Sequence, residues 1–269
     1  MNTSDVEGPS SLVEVGISDD IATLTLHRSR RRNALSRELV GHLIDGLRAA
    51  EEQHCRCVVL RAEPGVTTWS AGHDVDELPS DGDDPLQWSS PLEELLRTVR
   101  ATSMPVIAAV EGGVWGGACD LVFTCDFVIA TDTATFAITP AKLGVPYNIA
   151  GVEHFLGVLP LHVVKEMFFT ADPLPAVEAA QYGLVNRLAA DSDDLNAQVA
   201  VVAHRMTQMA PLVVAAVKAE FTALTAANPM NPDMFEKLTE MRRRAWRSQD
   251  YAEGMKAFHE RRPAEFSGE

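Results

Sequence analysis

Cysteine is scarce in this chain, with Cys55, Cys57, Cys119 and Cys125 among 269 residues and no Cys-x-x-Cys pair. That spacing excludes a disulfide framework and a Cys/His zinc site, and leaves the four as reduced packing residues. Basic residues are outnumbered, 23 against 38 acidic ones, for a net charge of −15. A field of that sign repels polyanions, which argues against nucleic acid or an anionic membrane as a partner. No hydrophobic run approaches the length of a membrane span, and the polar, acidic start "MNTSDVEGPSS" has no signal-peptide pattern. The dinucleotide Gly-x-Gly-x-x-Gly, the P-loop, Gly-x-Ser-x-Gly and His-Glu-x-x-His are all missing, as are internal repeats and low-complexity segments. A soluble, cytoplasmic globular protein of one or two domains is expected, with no metal or bound cofactor.

What is present reads as an α/β chain. "SLVEVGISDDIATLTLH" alternates apolar and polar residues around Asp19-Asp20, the pattern of a β-hairpin. Ser36 suits a helix cap ahead of Leu39, Leu43, Ile44 and Leu47, which recur at helical spacing. "CVVLRA" is a buried-type strand, and residues 62–90 read as a long loop. Ser90-Pro91 opens a second helix bearing Leu92, Leu95, Leu96 and Val99. "PVIAAV", "DFVIA" and "ATFAI" are short strands, and "GGACDLVF" turns into a helix. Strand–helix alternation to about residue 190 predicts an α/β core over 1–193. Residues 194–269 read as almost wholly helical, broken at Pro211 and "NPMNP" (228–232). That tail is amphipathic and is expected to pack on the core or on a neighbouring subunit.

Two glycine segments are candidates for chemistry. "WSAGHD" (69–74) and "EGGVWGGACD" (111–120) each follow a strand, and the second enters a helix. Glycine there lets backbone N–H groups approach a ligand, and a helix N-terminus adds positive potential. Two converging N–H donors make an oxyanion hole, although Gly-Gly at such a place also serves as a plain tight turn. The basic island at residues 28–32 is either a solvated turn or a site for a phosphate-bearing ligand.

The paired "SAGHD" and "EGGVWGGACDL" segments, after "RRNALS", resemble the crotonase (enoyl-CoA hydratase/isomerase) superfamily. "WSAGHDVDELPS", "VWGGA", "TPAKLGVPYN" and the tail "MRRRAWRSQDYAEGMKAFHERR" are similar to a decarboxylating branch of it, over residues 12 to 269. The resemblance implies a ββα spiral core with a C-terminal helical trimerisation region, assembled as a homotrimer or a dimer of trimers. It also implies an acyl-CoA thioester as substrate, with no cofactor beyond the CoA that the substrate carries. The amides of His73 and Gly117 would form the oxyanion hole. Arg28 and Ala34, with Ser70, Ala71, Gly72, Asp74 and Gly116, would line the CoA and thioester path, and Arg261 is either a CoA contact or a solvated helix end.

Hydratases of this superfamily use two glutamates, one in each of two segments; here those positions hold Asp120 and Ala141. Alanine transfers no proton, and Asp120, in a helix first turn, is favoured there by the dipole alone. Loss of CO2 from a malonyl-type thioester needs no base: the electrons collapse into an enolate, whose oxygen must be stabilised. The carboxylate must also be held out of the thioester plane, a task suited to the Tyr147 hydroxyl with help from Thr139. Water, Tyr147 or His73 would return a proton to the α-carbon. The remaining histidines, His154 among them, read as surface or packing residues. The expectation is therefore decarboxylation of methylmalonyl-CoA to propionyl-CoA. The alternatives are a short-chain enoyl-CoA hydratase or isomerase acting through Asp120, and a non-catalytic acyl-CoA-binding scaffold.

Overall fold

Asp19 and Asp20 both take positive φ, 53° and 62°, as a two-residue primed turn requires. In the computed structural model, which describes residues 11–78, 87–225 and 232–267, this turn folds β1 (Val13–Ser18) antiparallel onto β2 (Ile21–Leu26). The acidic N-terminus, part of the 62–90 loop and residues 228–231 lie outside the described residues. Ser36 caps α1 (Arg37–Glu52) by accepting from the Leu39 amide at 3.3 Å, and the four apolar residues read as its inner face are buried. After β3 (Cys57–Ala62), the stretch read as an unbroken loop contains β4 (Thr68–Ser70) and a 3-10 turn at Val75–Glu77. Three residues are too few for an alternating pattern to register.

The chain continues through α2 (Pro91–Ala101), β5 (Val106–Val110), β6 (Gly113–Trp115), α3 (Gly117–Thr124), β7 (Phe127–Thr131) and β8 (Thr135–Ala137). It then forms α4 (Ile149–Val158), α5 (Leu161–Thr170), β9 (Leu174–Pro175), α6 (Ala176–Gln181) and β10 (Arg187–Ala189). The end is helical: α7 (Ser192–Thr207), α8 (Pro211–Thr225), α9 (Pro232–Trp246) and α10 (Gln249–Glu260).

One sheet runs β1-β2-β3-β5-β7-β10, parallel after the hairpin, and a second runs β4-β6-β8-β9. Each long strand feeds a short neighbour in the second sheet and then a helix: β3-β4-α2, β5-β6-α3, β7-β8-α4. This is the ββα spiral the resemblance implied, and it brings the segments after β4, β6 and β8 to one edge.

Alternation along β3 divides the core. Val58 and Leu60 face the main cluster, while Cys57 and Val59 join Ile107, Ala109 and Ile129 beneath Leu195, Val199, Val202 and Ala203 of α7. Each such buried aliphatic contributes about 1.5–3 kcal/mol, so α7 is bound to the sheet. The 193/194 division read from the sequence falls inside this helix. Lys218 of α8, also buried, donates to the Met104 carbonyl at 2.9 Å and to Asp126 at 2.7 Å, while Leu212, Phe221 and Leu224 of that helix stay exposed. The cysteines are buried and unpaired; burial pushes the Cys57 thiol up to about 12 and raises Cys119 and Cys125 as well, which makes them poor nucleophiles.

Candidate active site

Because β4 and β6 are parallel neighbours, the two glycine segments leave the second sheet side by side. Gly72 has φ +80°, and a Cβ there would stand 2.3 Å from the Trp115 carbonyl oxygen and 2.9 Å from the Gly117 nitrogen. Only glycine permits that approach. Gly116, at φ 53° and ψ −125°, makes the sharp turn into α3. The His73 and Gly117 amides converge: a Cβ on Gly117 would lie 3.7 Å from the His73 nitrogen. Neither amide donates to a backbone carbonyl among the described residues, so both N–H groups are available to a ligand oxygen, one of them at a helix N-terminus. A bridge to residue 35 holds the segment, with Leu35 N–H donating to the Gly72 carbonyl at 2.8 Å and Asp74 N–H to that of Leu35 at 3.3 Å.

The residues expected to line the CoA path are first of all struts of this frame. Arg28 Nη1 donates to Asp74 Oδ2 at 2.7 Å and to the Ala34 carbonyl at 3.0 Å. Ser70 Oγ donates to the Asn33 carbonyl at 2.7 Å and accepts from the Gly72 amide at 3.2 Å. Burial alone would raise the Asp74 carboxyl, but the bonds from Arg28 and from the Asp76 amide override it and hold the group below its usual range. Arg28 is therefore committed to a carboxylate, whereas Arg30 and Arg32 of the basic island are exposed. Arg261 sits at the exposed, left-handed C-cap of α10 and is not part of the cavity wall. Its neighbour Arg262 is the anchored one, paired with Glu253 and Glu260.

The cavity that receives the two amides is lined by Ala71, His73, Glu93, Gly116, Gly117, Asp120, Thr139 and Tyr147. Ala141 is not in it. Residues 140–143 form a 3-10 turn, in which side chains three apart eclipse. Pro140 and Leu143 point into the cavity, and Ala141 instead lines a groove beside Arg244 and Asp250. The position read as a vacated acid thus lines the neighbouring groove and not the cavity that holds Tyr147.

Tyr147 is gripped edge-on by Phe155 and Phe168, at centroid distances of 5.8 and 5.1 Å. Its hydroxyl reaches Asp120 Oδ2 at 3.4 Å. Burial, and then the Asp120 charge, raise its pKa well above the ordinary value, so it is a donor at neutral pH. His73 is also enclosed. Neither imidazole nitrogen has a partner among the described residues, and burial lowers its pKa. A neutral imidazole is a weak acid, which counts against His73 as the proton source.

Sequence reasoning missed three residues. Glu93 on α2 turns its buried carboxyl into the cavity, where it accepts from Asn148 Nδ2. Burial raises its pKa; the Asn148 bond opposes that and the Asp120 charge adds to it. Its spacing, Ser90-x-x-Glu93, imitates a capping box, which masks the role. Asn148 also caps α4 through Oδ1 on the Gly151 amide at 2.7 Å. His154, expected to be a surface or packing residue, has Nδ1 2.6 Å from Asp120 Oδ1. No sequence spacing announces that contact, because α4 and α3 meet only in the fold.

Comparison with known proteins agrees with this geometry. The family model for enoyl-CoA hydratase/isomerase matches residues 16–269. The chain is 39% identical to methylmalonyl-CoA decarboxylase of Escherichia coli (strain K12), over 95% of this chain and 98% of that protein. A solved methylmalonyl-CoA decarboxylase in complex with 2-nitronate-propionyl-CoA superposes with a TM-score of 0.93, at 39% identity over 96% of this chain and 99% of that one. Crotonyl-CoA hydratase of Syntrophomonas wolfei is more distant, 27% identical over 92% of this chain and 95% of its own. The chain belongs to the enoyl-CoA hydratase/isomerase family.

Proposed function

We propose that the protein decarboxylates methylmalonyl-CoA to propionyl-CoA. The thioester oxygen docks on the His73 and Gly117 N–H groups. The bond from the α-carbon to the carboxylate then breaks, its electron pair forms the enolate, and CO2 departs. Each such donor is worth about 2.7–4 kcal/mol of barrier in comparable sites. The Tyr147 hydroxyl holds the carboxylate out of the thioester plane, with Thr139 beside it, and no base takes part. The single observation that carries this reading is the Tyr147 donor sharing one cavity with the paired amides; likeness to methylmalonyl-CoA decarboxylase along nearly the whole chain supports it. Residues 28–35 and 70–74 form the CoA path, with Arg30 and Arg32 meeting its phosphates. The exposed apolar face of α8 supports assembly as a homotrimer or dimer of trimers. Incubation with methylmalonyl-CoA and mass analysis of the thioester tests the reaction: propionyl-CoA is expected, and unchanged substrate contradicts it.

One observation favours a second reading. Hydration of an enoyl thioester needs two carboxyl groups, and the cavity holds two, Asp120 and Glu93. Under that reading crotonyl-CoA is hydrated, and both Asp120→Asn and Glu93→Gln abolish it.

A further inference from the structure

Loss of CO2 from a carboxylate consumes one proton per turnover, since the enolate carbon must become C–H. The proton must reach the α-carbon inside a cavity where the Asp120 carboxyl is buried. Asp120, with a side chain only 4% exposed, lines the cavity; His154, 18% exposed, bonds to it from behind and is not part of the cavity wall. With Asp120 ionised, the 2.6 Å contact requires His154 Nδ1 to be the donor, which leaves Nε2 to exchange with water. Tyr147, just before α4, and His154, within it, come from one short segment and both meet Asp120.

We propose that His154 is the proton inlet of this site, reloading Asp120, which protonates the α-carbon after CO2 leaves. The inference rests on the decarboxylase reading. The imidazolium passes its Nδ1 proton to the Asp120 carboxylate, and the carboxyl group gives a proton to the enolate carbon to form the new C–H bond. The neutral imidazole, left with its proton on Nε2, returns to the Nδ1–H tautomer by proton exchange with water and is recharged by a solvent proton at Nε2. Charge and atoms balance: a carboxylate and a solvent proton enter, and CO2 and a C–H bond result. His154 is a relay residue acting through Asp120. A deuteron delivered this way reaches one face of the enolate only.

The test runs a single epimer of methylmalonyl-CoA in D2O and reads the configuration of the 2-deuteriopropionyl-CoA formed. The unaltered protein is expected to give one configuration. His154→Asn keeps a donor where Nδ1 lies, so Asp120 stays in place, but it carries no exchangeable imidazole proton; a near-even mixture of configurations is expected. His154→Ala is expected to give the same mixture, and added imidazole to restore the single configuration. A single configuration from His154→Asn overturns the proposal, as does a mixture from the unaltered protein. A separate arm measures exchange of the α-hydrogen of propionyl-CoA in D2O, the same transfer run backwards. Exchange at least tenfold faster in the unaltered protein than in His154→Asn supports the inlet even if methylmalonyl-CoA loses no CO2, and equal exchange overturns it. A failure of the inlet is thereby separated from a failure of the decarboxylase reading.

Discussion

Gly72 and Trp115 approach so closely that the Trp115 carbonyl oxygen lies 2.3 Å from where a side chain on residue 72 would begin. Gly72→Ala therefore pushes the His73 amide away from Gly117. The kcat for CO2 release should fall by about 10²–10³-fold, the cost of losing one oxyanion donor, and the melting temperature should fall with it. Gly157→Ala is the control. It lies in α4 with nothing within 4 Å of its Cβ position, and it should stabilise the protein by about 1 kcal/mol with no loss of rate.

Tyr147→Phe keeps the ring between Phe155 and Phe168 and removes only the hydroxyl. A hydrogen bond to a charged group is worth about 1.5–3 kcal/mol, so kcat should fall roughly 10- to 100-fold. Inhibition by propionyl-CoA, which lacks the carboxylate, should be unchanged. Steady-state rates and inhibition constants check both, and a fully active variant removes Tyr147 from the mechanism.

The Arg28–Asp74 pair predicts an acid limit. The Asp74 carboxyl is held below its unfolded value, so its contribution to stability is complete above about pH 4 and is lost as pH falls through the folded value. Melting curves between neutral and strongly acid pH should show a steeper loss in the natural protein than in Asp74→Asn. Arg28→Ala leaves the carboxylate buried without its cation, and should cost about 3–5 kcal/mol at neutral pH.

Glu93 has the opposite sign. Its pKa is raised by burial, so it favours the folded state least when ionised: stability is present below the unfolded value and is lost as pH rises through the folded one. Glu93→Gln, which still accepts from Asn148, should raise the melting temperature at pH 7. The gain should vanish near pH 4. A variant that is less stable than the natural protein at pH 7 contradicts a burial-dominated Glu93.

The hairpin, the main helices and the two glycine segments were legible because each follows a local rule: a primed turn at Asp19-Asp20, a Ser36 cap, glycine where backbone must approach backbone. What stayed hidden is set by packing between elements. Ala141 reads as a neighbour of Tyr147 along the chain, yet the 3-10 turn rotates it to another face. Arg28 reads as part of the CoA path, while its pairing with Asp74, far off in sequence, leaves no local signal. His154 and Asp120 lie on different helices, and no spacing within one helix encodes a contact between two. Glu93 was concealed by a motif with a purely local meaning.

The central claim is that this cavity releases CO2 from a malonyl-type thioester and does not chiefly add water to an enoyl one. Measuring kcat/KM for methylmalonyl-CoA decarboxylation and for crotonyl-CoA hydration on one purified sample tests it most directly. The account predicts that decarboxylation exceeds hydration by at least about 10²-fold, the lower end of what positioned acid–base catalysis contributes to a reaction that depends on it. Hydration faster than loss of CO2 would contradict it.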